Sequence, residues 1–394
     1  MLRHLIFASV MLLVQGLGTW LLYAHWLRPP LWPFGKRPLV LSLLCLLWLS
    51  LPLGHFCWGR FHQPWAGALY GVGYFWLGFL FYAACTLALS TLLLGLWRLF
   101  RKPSLRLRQA VAASSALLAA SLCSYGALVV AQGPQVKERE VVLDKLSPAF
   151  EGFRVAVVSD THLGMPGLGR AFAERLVAQI NALEADVVVL LGDMVDRKPE
   201  GMAETVAPLQ NLRAKHGVLL VMGNHEYFHA PLAWEAHFKS LGLRVLGNER
   251  VEIERIALRH PEAEVGEPAR LAFAGVYDLR ASRTVGQRAD VQRALEGWNP
   301  ATPLVLLAHQ PRLWEEAQAA GVDLMLAGHT HGGQLWPLHP VSARVNHYVQ
   351  GFYREGKAQL YVTTGAGHWG PPMRVGAPPE IALLRLRAPS PWPP

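Results

Sequence analysis

The chain has 394 residues, with 37 Lys and Arg against 28 Asp and Glu. That length is too great for one average domain. Residues 1–132 hold ten basic and no acidic side chains, whereas the rest holds 27 basic and 28 acidic ones. The basic balance therefore does not indicate a nucleic-acid surface on the C-terminal part, where a basic stripe would be expected, and marks loops that flank membrane spans. All four cysteines (Cys45, Cys57, Cys85 and Cys123) lie in the apolar N-terminal part. The remainder can form neither a disulfide nor a cysteine metal site.

Four runs lack Asp, Glu, Lys and Arg: Leu5–Trp26, Leu39–Trp58, Trp65–Trp97 and Gln109–Gln132. Each reaches the roughly 20 apolar residues of a membrane helix. The third is too long for one upright span and too short for two, so tilt or a start after Gly71 or Gly73 is expected. The first could be a signal peptide, but it has no small-residue cleavage site and three runs follow, so it reads as an anchor. Loop one carries Arg28, Lys36 and Arg37, and loop three carries Arg98, Arg101, Lys102, Arg106 and Arg108. The positive-inside rule then places both in the cytoplasm and the domain after Gln132 outside. No charged residue lies within a span, which argues against a transport path and for an anchor. His25, His55 and His62 sit near span ends and read as interfacial.

Beyond Gly133-Pro134, Val136–Leu146 reads as an edge strand and Phe153–Ser159 as a central one. Gly169–Leu183 has helical spacing of Phe172, Leu176, Ile180 and Leu183. Val187–Leu191 is apolar throughout, as in strands buried on both faces. Ala203–Leu212 reads as a helix, Gly217–Met222 as a strand and Pro231–Leu241 as a helix with Pro in its first turn. Arg244–Leu258 and Arg270–Val276 read as strands of a second sheet. Pro303–Ala308 and Val322–Ala327 are strands of the first sheet around a helix at Leu313–Ala320. Ala358–Thr364 and Glu380–Arg387 close the domain. His260–Ala269 reads as an exposed loop and Ala388–Pro394 as a disordered tail. The chain divides into a transmembrane region of about four helices (1–132), a linker with the first edge strand (133–150), a catalytic domain (151–388) and a Pro-rich tail (389–394).

The chemistry gathers at strand ends. Phe153–Ser159 leads to Asp160-Thr161-His162, and Asp186–Leu191 to Gly192-Asp193-Met194-Val195-Asp196. Gly217–Met222 leads to Gly223-Asn224-His225-Glu226, Leu304–Ala308 to His309, and Val322–Ala327 to Gly328-His329-Thr330-His331-Gly332-Gly333-Gln334. In an extended segment His329 and His331 share a face, though HxH is too short a pattern to carry a reading alone. Ligands bind at the C-terminal edge of open α/β sheets. Asp160, His162, Asp193, Asn224, His309, His329 and His331 make a mixed oxygen and nitrogen set too large for one tetrahedral zinc. It suits two divalent ions that share a bridging carboxylate.

The order DxH, GDxxD, GNHE, H and GHTHGGQ resembles the calcineurin-like metallophosphoesterase superfamily over roughly residues 150–388. The tail Thr363-Thr364-Gly365-Ala366-Gly367, with Pro371-Pro372-Met373-Arg374 and Pro379-Glu380-Ile381, resembles its membrane-associated bacterial branch, that of the YkuE and YaeI phosphoesterases. The resemblance implies a four-layer α/β/β/α sandwich after an all-α transmembrane region. It also implies that Asp160, His162 and His331 bind one metal, that Asn224, His309 and His329 bind the other, and that Asp193 bridges. His225 would face the scissile phosphate and stabilise charge or protonate the leaving group.

Ligands without thiolate fit two Mn, Fe or Zn ions. Asp196 and Glu226 are candidates to receive the histidines' far N–H groups, although Asp196 reads equally as a helix N-cap. Arg374 is a candidate for substrate phosphate, against a surface role, and His368 is a weaker one. Asp278 reads as a turn residue at the cleft, and no role falls to His229, His237, His260, His339 or His347. The expected function is a membrane-anchored phosphodiesterase acting on a lipid-linked or envelope phosphate ester, extracytoplasmic on a bacterial cytoplasmic membrane. Its partners are the bilayer and the substrate, with no nucleic acid. The alternatives are a pyrophosphatase of a nucleotide-linked lipid precursor, resembling UDP-diacylglucosamine hydrolases, and a non-catalytic membrane sensor or scaffold.

Overall fold

The structure is a computed structural model that describes residues 2–27, 37–61, 63–255 and 268–389. The expected loop at 260–269 and the tail at 388–394 lie largely outside these residues, as do His62 and His260. The chain forms two compact units, 1–131 with 369–375 and 132–368 with 376–394.

Among the described residues the first unit holds four α-helices, α1 Leu2–Leu22, α2 Arg37–Phe61, α3 Pro64–Arg98 and α4 Leu105–Ala131, with a π-helical turn Tyr23–Leu27 continuing the first. Four helical stretches, Ser9–Leu27, Pro38–Phe61, Trp65–Arg98 and Leu105–Ala131, are long and apolar enough to cross a membrane. The third is one continuous helix that begins at Pro64, not after Gly71 or Gly73. At 35 residues it is about 52 Å long, well beyond a hydrocarbon core, which leaves tilt as the accommodation. Helices α2 and α3 approach closely through small residues. A side chain on Gly54 would collide with the Tyr70 backbone, and one on Gly73 with Leu51. Small residues at a crossing are what lets helices pack where lipid gives no hydrophobic drive. His55 Nδ1 lies 3.1 Å from the Tyr70 hydroxyl, which lies 3.1 Å from that of Tyr74. The segment 369–375 belongs to this unit, with the Arg374 N–H donating to the Gly126 carbonyl at 3.0 Å.

The second unit is built on two six-stranded sheets. One has the order β1-β12-β2-β3-β4-β5, from Gln135–Val142, Glu380–Arg387, Phe153–Val158, Val187–Leu190, Val218–Leu220 and Arg244–Val245. The other has the order β10-β11-β9-β8-β7-β6, from Gly351–Glu355, Ala358–Val362, Leu324–Ala327, Leu304–Leu307, Ala269–Gly275 and Glu249–Arg255. Strands β2 to β5 run parallel, as do β7, β8, β9 and β11. Val155, Val157, Val187 and Val189 pack with Phe273, Val305, Leu307 and Leu326 in one core that draws on both sheets. The alternate residues Ala272, Ala274, Leu304, Leu306 and Met325 pack instead with Trp314 and Ala317 of a helix. Period-two alternation thus supplies both apolar faces of the second sheet, which gives the layered sandwich.

Three expectations need correction. Arg244–Val245 pairs with β4 in the first sheet, so among the described residues of the stretch 244–258 only Glu249–Arg255 belongs to the second. Strands β8 and β9 belong to the second sheet, not the first, because β7 and β11 flank them. The helix expected over 203–212 is a single turn, Ala203–Val206, followed by a 3-10 segment around Pro208, whose missing N–H ends the α pattern.

Candidate metal centre

Five strands deliver the site. The residues just past β2, β3 and β4 of one sheet and β8 and β9 of the other are Asp160 and His162, Asp193, Asn224, His309, and His329 and His331. Five of these seven have left-handed backbones: Asp160, His162, Asp193, His329 and His331, with φ between 47° and 71°. Only a few per cent of non-glycine residues adopt this region, at a cost on the order of 1–3 kcal/mol each, so the concentration here marks a functional turn set. Backbone bonds hold it. Asp160 N–H donates to Gly192 O and His162 N–H to Asp193 O, both at 3.0 Å, and Gly328 N–H donates to His309 O at 2.9 Å. The loops also pack without room for side chains, since a Cβ on Gly223 would strike the Asp193 carboxylate and one on Gly328 that of Asp160.

Within this frame the ligand-type atoms form clusters. Asp160, His162 and His331 make one group able to hold a metal ion, and Asp193, His309 and His329 another. In the first, His162 Nε2 faces His331 Nε2 at 3.0 Å, and His331 Nε2 lies 3.5 Å from Asp160 Oδ1. That carboxylate oxygen is buried without a hydrogen-bond partner. In the second, His309 Nε2 lies 3.2 Å from Asp193 Oδ2 and 3.1 Å from Asn224 Oδ1. His309 Nδ1 meets the Leu191 carbonyl at 2.7 Å. A carbonyl only accepts, so Nδ1 carries a proton and Nε2 is the ring atom turned toward the two oxygens. Buried lone pairs that converge in this way call for a cation, and the donor set fits a divalent metal.

The buried carboxylates and imidazoles shift one another strongly. Burial works to raise the Asp193 carboxyl, but the His309 and His225 rings outweigh it and hold it well below its ordinary value. Burial raises the Asp160 carboxyl. His309 is pulled down by burial yet raised well above the usual imidazole value by Asp193 and Asp160. His329 falls to about 3 through burial and the neighbouring His309, so it stays a neutral ligand-type ring.

His225 sits beside both groups, its ring 4.7 Å from that of His162 and its N–H donating to Asp193 Oδ1 at 2.7 Å. Its Nδ1 is bound to Asp196 Oδ1, and Nε2 lies 3.9 Å from Asp193 Oδ2. Burial opposes protonation of this ring, but Asp193 and Asp196 raise it to about 9. Asp196 faces His225 and also lies 3.4 Å from His162 Nδ1, and it caps no helix, which removes the N-cap reading.

Glu226 departs from expectation. Its oxygens accept four backbone N–H groups, those of Asp193, Met194, Val195 and Gly223, at 2.6–3.0 Å. It therefore locks the Asp193 turn to the Asn224 turn in place of receiving a histidine N–H. Arg374 falls in the segment grouped with the helices and is fully buried, so it is not a surface arginine. His368 is buried next to Gly367, whose N–H donates to Asp160 O at 2.9 Å. Asp278 accepts from Arg280 N–H at 2.7 Å, as a turn residue does, and from Gln310 beside His309 at 2.8 Å. The Leu191 carbonyl that orients His309 was missed because a backbone group carries no sequence signal.

A family profile described as calcineurin-like phosphoesterase matches residues 153–333. An uncharacterised metallophosphoesterase of Aquifex aeolicus is 30% identical over 258 residues, which cover 64% of this chain and 92% of that one. The chain belongs to the calcineurin-like phosphoesterase family. Another member, the uncharacterised metallophosphoesterase YkuE of Bacillus subtilis, is 25% identical over 70% of this chain and 93% of its own length. A transmembrane protein with metallophosphoesterase domain from Bos taurus is 36% identical over 68% of this chain and 60% of its own. The chain spans about three fifths of the length of that relative and of its Danio rerio counterpart. The profile takes in all seven clustered residues together with His225.

Proposed function

We propose that the protein is a membrane-anchored, two-metal phosphodiesterase that acts on a lipid-linked phosphate ester. The observation that carries this reading is the convergence of buried, cation-deficient carboxylate, amide and imidazole groups on a single strand-end edge. Asp160, His162 and His331 would hold one ion, Asn224, His309 and His329 the other, and Asp193, between them, would serve both. Divalent ions such as Mn, Fe or Zn supply positive charge to the phosphoryl oxygens and acidify a water nucleophile.

The chain's own groups do the rest. Asp196 fixes the His225 ring through Nδ1 and keeps it protonated, which leaves the Nε2 proton to be given to the leaving oxygen. Glu226 and the left-handed turns hold the ligand loops before substrate arrives, so little reorganisation is left to the reaction. The four candidate spans favour a substrate at a bilayer, and the basic loops one and three favour an extracytoplasmic catalytic unit. A reporter fused after Pro394 that works only in the cytoplasm would overturn that orientation.

The test of the activity is hydrolysis of an aryl phosphodiester by the full chain in nanodiscs, first metal-stripped and then with Mn, Fe or Zn restored. Turnover that returns with metal and is lost in Asp193→Asn and His225→Gln supports the proposal. Two ions bound without turnover would sink it.

A further inference from the structure

The rim of the metal centre exposes large apolar side chains on two sides. On one side, Phe228 ends the short helix that begins at Asn224, and its ring lies 5.4 Å from that of His225. Leu232, on the next helix, is 65% exposed. On the other side, the His331–Gly333 turn runs in three residues to Trp336, which is 58% exposed. The helix His339–Asn346 follows and packs on that turn so closely that a Cβ on Gly333 would touch His339. Its Val341 and Val345, one turn apart on one face, are each 59% exposed. Scattered exposed apolar residues are ordinary, but these lie on or just after two segments that carry site histidines, and one is an exposed tryptophan.

We infer that this rim is a lipid-binding surface that enters the head-group layer, so that the centre takes the phosphodiester of a phospholipid directly from a bilayer. The inference rests on the phosphodiesterase reading. The occupant is a bilayer because the same chain carries four candidate spans, the last of which ends at Ala131 only four residues before β1 begins at Gln135. Four extended residues reach at most about 14 Å, so the tether between the last span and the catalytic unit is short. An exposed Trp just ahead of a short helix that exposes two Val, with an exposed Leu on another helix, suits the boundary between head groups and acyl chains. The Arg280 guanidinium, 4.8 Å above the Phe228 ring, adds a cation at the level of the phosphates.

The test uses the full chain, with a triple variant Leu232→Ser, Val341→Ser and Val345→Ser that touches none of the metal-centre residues. Hydrogen exchange of 335–346 should be slower in anionic phospholipid nanodiscs than in amphipol for the parent, and equal in both for the variant. The variant should also lose on the order of tenfold in hydrolysis of a bilayer phosphodiester while its rate on a soluble aryl phosphodiester stays within about twofold. Equal exchange in nanodisc and amphipol for the parent would overturn the lipid surface. So would protection that grows with the number of protein copies per disc, which would assign the face to a second copy. Bilayer protection without cleavage of the aryl diester under any metal would leave the lipid surface standing and remove the phosphodiesterase reading instead.

Discussion

Strand β3 has a buried aspartate at each end, and the two are treated in opposite ways. Asp186, just before the strand, accepts from the Arg154 N–H at 2.8 Å, Lys215 Nζ at 3.0 Å and Arg255 Nη2 at 2.8 Å. Asp193, just after it, sits on a left-handed backbone among imidazole rings and a second buried aspartate. One end is satisfied by backbone and surface cations, whereas the other is balanced by the His225 N–H and the imidazoles of ligand-type groups. The same division runs across both sheets, since the regular apolar strands hold the molecule together and their C-terminal turns hold strain and unmet charge.

The sharpest break in this comparison is to remove the site's charge. Asp193→Asn takes a negative charge from the group of Asp193, His309 and His329, and loss of kcat/KM on the order of 1,000-fold or more is expected, with weaker metal binding read by calorimetry. Stability should move the other way at the neighbouring position. Asp160→Asn keeps an oxygen for the His329 N–H, now 3.0 Å from Asp160 Oδ2, and relieves a buried carboxylate whose Oδ1 has no partner. Metal-stripped Asp160→Asn should therefore melt at or above the parent's temperature, and a fall of several degrees would refute the cation-deficient reading.

His225 separates chemistry from ligand binding. His225→Gln should lower kcat by about 100-fold to 10,000-fold with both metals retained. The pH profile tests its partner. The folded pKa of His225 is raised, so the protonated ring persists through neutral pH and is lost as pH climbs toward about 9. Asp196→Asn removes one of the two carboxylates that raise it, so the alkaline limb of kcat should move to lower pH. An unmoved limb would mean that another group controls it. Glu226→Gln is a smaller, structural probe. It turns an NH2 toward backbone donors, and about 1–3 kcal/mol of stability should be lost, read as a lower denaturant midpoint.

The seven clustered residues and His225 were legible because each follows a short, continuous apolar run of the kind that forms a buried strand. What they do to the backbone was not legible, since φ at Asp160 or His331 is set by loops that meet only in three dimensions. Glu226 was read as a histidine partner, but its reach to the 193–195 turn depends on two strands lying side by side. The two edge strands Arg244–Val245 and Gly351–Glu355 went astray or unseen because short edge strands carry too little pattern to place. The helix His339–Asn346 was missed for a related reason. Its exposed Val341 and Val345 give a helix no buried stripe from which to be recognised.

The other end of β3 offers the mildest test and the control for the rest. Backbone and cationic partners outweigh burial and hold the Asp186 carboxyl below its ordinary value. A carboxyl depressed on folding adds stability that is present above its unfolded pKa and is lost as pH falls through the folded one. Asp186→Asn should thus cost a modest amount at pH 7, since Lys215 is largely exposed and its pairing is screened by water. The difference from the parent should shrink on acidification below the usual carboxylate range, while kcat at neutral pH stays unchanged. A loss of activity in this variant would mean that the two ends of the strand are coupled, and the division between a satisfied end and a reactive one would fail.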